Sequence, residues 1–110
     1  MTLIEELLMN LEENLEGEGM LPLYAVSWWL RGMKRGLSEA EIDVVCRQAY
    51  DEMTRRHALH LEWFDWPSTD PAAGRPAAPG TSLDFDINST GTISSPFLVL
   101  VPDRPQALIQ

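Results

Sequence analysis

The spacing of apolar residues changes once along this chain, and that change sets its fold class. Up to His57 apolar side chains recur every three or four positions, the spacing of one helix face. From Leu59 the period becomes two: Leu59, Leu61 and Trp63 alternate with His60, Glu62 and Phe64. A period of two belongs to a strand, whose successive side chains point to opposite faces. Helices are thus expected first and strands afterwards, which is the order of an α+β domain.

Three helices are legible before the change. Thr2-Leu3-Ile4-Glu5 is a capping-box pattern, followed by a stripe of Ile4, Leu7, Leu8, Leu11 and Leu15 and stopped by Gly17 and Gly19. Glu5, Glu6, Glu12, Glu13 and Glu16 fall mostly off that stripe, and the late ones sit where the helix dipole disfavours negative charge. This helix is expected to depend on tertiary packing or on a partner. A second helix starts with Pro22 in its first turn and runs to Arg31 or Lys34, between the breakers Gly32 and Gly36. Leu23, Ala25, Val26, Trp28, Trp29, Leu30 and Met33 cover almost its whole circumference, which calls for central burial or contact with another chain. Trp28 and Trp29 stand about 100° apart on a helix, so one narrow interface does not bury both.

The third helix has the best-defined start. Ser38 is followed three residues on by Glu41, with Leu37 and Ile42 placed as a hydrophobic staple. It runs from Glu39 to about His57, turning Ile42, Val45, Cys46, Ala49 and Met53 inward with Tyr50 beside them. Arg47, Asp51, Arg55 and Arg56 lie elsewhere around it, and Asp51 and Arg55 have the spacing of an i,i+4 ion pair.

Three strands are expected after it. The first runs from Leu59 to Trp66-Pro67. The second sets Leu83, Phe85 and Ile87 against Ser82, Asp84, Asp86 and Asn88. The third spans Phe97 to Val101 between Pro96 and Pro102. Residues 67–80, rich in Pro, Ala and Gly, read as a mobile loop, Asn88-Ser89-Thr90-Gly91 as a turn, and 103–110 as a loose tail. The expectation is one domain over residues 1–110, with three helices on one face of a small three-stranded antiparallel sheet. The same order admits a winged helix, with the 67–80 loop as its wing.

Composition narrows the function classes. A chain of 110 residues suffices for one autonomous core. Its longest near-continuous apolar run, Leu21 to Leu30, contains Pro22 and is too short to span a bilayer. The acidic flank and lack of a small-residue cleavage site argue against a secretory signal. The single Cys46 leans towards a reducing compartment, so a cytoplasmic location is expected. The net charge of −9 repels nucleic acid and anionic membranes at long range. It is unevenly spread: residues 1–20 carry six Glu and no base, whereas 31–57 carry six bases against five acids.

Chemical motifs are sparse. His57 and His60 are three apart, with Asp51, Glu62 and Asp65 nearby, but zinc needs three or four convergent ligands. Asp84-Phe85-Asp86-Ile87-Asn88 begins like a calcium loop and fails at Ser89 and Ser95, where Gly and Glu are required. Cys46 lies in an apolar stripe, and the chain has no nucleophile elbow or phosphate-cradling glycine loop. Neither catalysis nor a metal or cofactor is expected; a hydrolase or metal-dependent enzyme around His57, His60, Glu62 and Asp65 is the third-ranked class. A nucleic-acid binder would use Arg47, Arg55 and Arg56, with Asp43, Asp51 and Glu52 on the same helix weakening it.

The aromatics carry more. Trp63 and Phe64 must face opposite sides of their strand, with Trp66 on the side of Phe64. One layer of helices covers only one sheet face, so the other is either an aromatic patch or is covered by the chain's own loop or first helix. The expected function is a non-catalytic, regulatory or adaptor-like interaction protein. Its interface would comprise Trp28, Trp29, Phe64 and Trp66, with Glu12, Glu13 and Glu16 steering a basic partner. That partner is another protein, or a second copy in a homodimer.

Overall fold

The computed structural model describes residues 2–65, 73–85 and 96–103. Among the described residues there are three helices, α1 (Leu3–Glu18), α2 (Leu23–Gly32) and α3 (Glu39–Arg56). Helices α1 and α3 start where their capping boxes place them. Pro22, expected in the first turn of the second helix, instead sits just before α2, at an N-cap position without a side-chain capping bond. Both capping boxes are made. Thr2 Oγ1 accepts from the Glu5 N–H at 3.2 Å while the Glu5 carboxylate accepts from the Thr2 N–H at 2.8 Å. At α3 the reciprocal Ser38–Glu41 bonds are 3.1 and 2.8 Å. Gly19 ends α1 in the left-handed region (φ 77°), and its N–H donates to the Leu15 carbonyl.

Among the described residues the sheet is antiparallel and has four strands, one more than expected: β1 (Leu21–Pro22), β2 (Leu59–Asp65), β3 (Arg75–Pro76) and β4 (Pro96–Pro102), ordered β1-β4-β2-β3. The central pair runs in register from Leu59 opposite Pro102 to Asp65 opposite Pro96. β1 and β3 are two-residue edges, formed where the chain leaves α1 and where the long loop returns across β2. Helices α2 and α3 thus precede a β2–β4 pair whose other side is closed by β1, which keeps the winged-helix-like order.

The expected strand around Leu83–Ile87 is a correction. Residues 81–85 belong to no strand, and Asp86, Ile87 and the Asn88–Gly91 turn lie outside the described residues. Phe85 is nevertheless buried. Its carbonyl accepts from Ser27 Oγ at 2.7 Å, and its ring meets Tyr50 edge-on at 6.5 Å with the Arg47 guanidinium 5.9 Å away. The alternation marks a segment whose Phe85 docks on α2 and α3, with the Phe85 carbonyl held by a helix side chain.

The main core lies between the helices and one sheet face. Its buried members include Leu7 and Leu11 of α1, Leu23, Val26 and Leu30 of α2, Cys46, Ala49 and Met53 of α3, and Leu98 and Leu100 of β4. Trp63 packs against it, so Trp63 and Phe64 do take opposite faces. On the far face Phe64 clusters with Val99 and Met20, flanked by Phe97. Phe64 is 0% exposed. Met20 reaches it from the end of α1, and the returning loop crosses it at Gly74, where an added Cβ would lie 2.8 Å from Phe64 Cζ. Only a residue without a side chain lets the loop pass so close. Ala77 then fastens that loop by donating its N–H to the Leu61 carbonyl at 3.1 Å.

Candidate functional site

Helix α2 builds the site because it has more apolar surface than the core accepts. Leu23, Val26, Ser27 and Leu30 form its buried row. At about 100° per residue, Trp28 projects roughly opposite that row. It is 67% exposed, the most exposed large apolar side chain among the described residues. Trp29 turns partly back and packs against the main core. The two indoles meet edge-to-face, centroids 5.8 Å apart and planes at 78°, an arrangement their quadrupoles favour.

The pair forms a ridge with an open groove on either side. One groove, of about 510 Å³, is completed by Asn10, Arg31, Gly32 and Met33. The other, of about 490 Å³, is completed by Asn14, Glu18, Met20, Pro22, Tyr24 and Ala25. α1 supplies the outer wall of both through Asn10, Asn14 and Glu18, so the first two helices hold the ridge jointly. Tyr24 is half-buried, its ring 5.8 Å from that of Phe97. Burial, and then the charge of Glu18, raise its phenol above the ordinary value.

The expected interface residues do not all meet here. Trp28 and Trp29 are adjacent at the ridge. Phe64 is removed from the surface by Met20 and the Gly74 crossing, and Trp66 lies outside the described residues. Among the steering glutamates, Glu13 and Glu16 are exposed. Glu12 instead joins α1 to the end of α3, accepting from Arg56 at 3.3 Å and lying 3.2 Å from His57 Nε2. Sequence reasoning missed Glu18, Met20 and Tyr24 as groove walls. The available signal was the four-residue spacing of Tyr24 and Trp28, which puts them on one helix face.

The three arginines of the nucleic-acid reading are all engaged. Arg47 donates to Asp43 at 2.9 Å, Arg55 bonds Glu52, and Arg56 is shared between Glu12 and Glu52. The expected Asp51–Arg55 pair is a further correction, since the guanidinium of Arg55 turns to Glu52 three residues back. The α2–α3 turn is laced in the same way, with a two-pronged Arg31–Glu39 bond (2.7 and 2.8 Å) and an Arg35–Glu6 pair. Such exposed pairs are screened by solvent and contribute little to stability.

The histidines diverge. His57 belongs to Glu12, whereas His60 holds Glu62 and Asp103, each at 2.6 Å, through its two ring nitrogens. Those carboxylates, Glu62 foremost, raise the His60 pKa. Burial pushes the Cys46 thiol up to about 12, leaving it protonated at neutral pH. Among the described residues no group of three His, Cys, Asp or Glu side chains is placed to hold a metal ion, and no helix is long and apolar enough to cross a membrane. No protein-family model, curated protein or solved structure matches this chain.

Proposed function

We propose that this chain is a small non-catalytic interaction protein, regulatory or adaptor-like, that docks another polypeptide on the Trp28–Trp29 ridge. One observation carries the reading: an indole left 67% exposed at the crest between two open grooves. Tryptophan is enriched among residues that dominate binding energy, and a large exposed ring flanked by grooves suits a site that closes on association. The buried, protonated Cys46, the chain's single cysteine, suits a cytoplasmic setting.

A winged-helix-type nucleic-acid binder stands second. The α2–α3–β2–β4 order supports it. Against it, Arg47, Arg55 and Arg56 are already bonded to carboxylates, so phosphates would have to displace them. α3 also carries three Arg against five acidic residues.

Affinity capture from the native lysate, with and without nuclease, separates the two when wild type is compared with Trp28→Ala and Arg47→Ala. The first reading expects a stoichiometric protein that survives nuclease and is lost with Trp28→Ala. Retention of that protein by Trp28→Ala refutes the ridge. Nuclease-sensitive capture lost with Arg47→Ala replaces the first reading by the second.

A further inference from the structure

The first thirty residues carry six carboxylates and no base. α1 has no basic residue in its last turn, so the negative end of its dipole is reinforced by Glu16 and Glu18 rather than offset. Glu18 lies at the groove walled by Met20, Tyr24 and Trp28. Among the described residues its carboxylate has no ion pair, whereas Glu6, Glu12, Glu39 and Glu52 are each paired with an arginine. An uncompensated negative pole thus adjoins an exposed indole, and both attract a cation: the pole by charge, the ring by its quadrupole.

We propose that the ridge seats a basic, partly apolar polypeptide segment, with an arginine or lysine of the partner held between the Trp28 ring and the Glu18 carboxylate. This rests on the ridge being the docking element, and it names the chemistry of what docks. The groove lined by Met33, Gly32 and both indoles, with Arg31 and Asn10 at its wall, takes the partner's apolar side chain. A second copy of the chain fits poorly, since a two-fold contact centred on the ridge would bring the two acidic helix ends together. It would also add another charge of −9.

The test is calorimetric titration of the full chain with two blocked peptides of equal length. One is an amphipathic Leu/Arg sequence and the other has Glu at every Arg position. The Arg peptide is expected to bind and the Glu peptide not. Glu18→Gln should weaken binding about three- to fivefold, and Trp28→Ala about tenfold or more. Asp51→Asn, which removes another exposed charge, on α3, should leave it unchanged. The assignment is overturned if the Glu peptide binds equally, if no Arg peptide binds at millimolar concentration, or if Glu18→Gln and Asp51→Asn act alike. In each of those cases Trp28-dependent capture of a lysate protein would leave the ridge standing, whereas Trp28→Ala binding the Arg peptide like wild type would remove the ridge as well. A concentration-dependent dimer abolished by Trp28→Ala in sedimentation would give the groove to a second copy and overturn the basic segment.

Discussion

Replacing Phe64 by alanine removes a ring that has no contact with water. The void would open between Val99 on the neighbouring strand, Met20 at the end of α1 and the backbone at Gly74. Strand β2 cannot collapse inward to fill it, because its other face carries Trp63 against the main core. Buried Phe→Ala changes cost about 3–5 kcal/mol when collapse is restricted. A domain of this size has about 5–15 kcal/mol to lose, so the variant should remain folded with a much reduced margin. In urea, with a slope of about 1–3 kcal/mol per molar, the midpoint should fall by roughly 2 M. Trp28→Ala is the internal reference, since truncating an exposed side chain should change stability by no more than about 0.5 kcal/mol. Equilibrium unfolding followed by circular dichroism measures both. A Phe64→Ala loss below about 1 kcal/mol, with an unchanged slope, would refute the covered face and return Phe64 to the surface.

Two further outcomes follow from the titratable groups. Cys46, with its thiol pushed up to about 12 by burial and held in the core, should resist alkylation in the native state. It should label at the rate of global opening, and rapid labelling without denaturant would contradict its placement. His60 has a pKa raised first by Glu62 and then by Asp103, so its contribution is complete below the ordinary value of 6.5 and is lost as pH rises through the raised value. Wild type should therefore lose slightly more stability than His60→Gln as pH rises above 6.5, by under about 1 kcal/mol because the pair is exposed; identical pH slopes would rule the clamp out.

Much of the fold was legible because it is written locally. Thr2 with Glu5 and Ser38 with Glu41 name their own helix starts, and both boxes form as spaced. The alternation from Leu59 and the apolar run before Pro102 locate the two long strands. The short edges were invisible: two residues have no period, and Pro22 and Pro76 argue against strands until a neighbour is known. Phe85 shows the converse, since alternation reported its burial correctly and its pairing wrongly. Phe64 marks the limit for the site. Periodicity assigns a side chain to a face, but what covers that face is decided by Gly74 and Met20, which lie outside the strand and its period. Trp28 was legible as surplus, one apolar residue too many around α2, although its groove partners on α1 were not.

The margins of the sheet have a consequence for how this molecule behaves in a crowd. Each outer strand is two residues long and includes a proline, which has no N–H to offer an incoming chain. Among the described residues, a stray strand arriving at either border finds a template that is brief and poor in donors. Growth of the described sheet edge to edge is therefore disfavoured, and among the described residues the exposed large apolar side chains, Met9, Trp28 and Val44, all lie on helices.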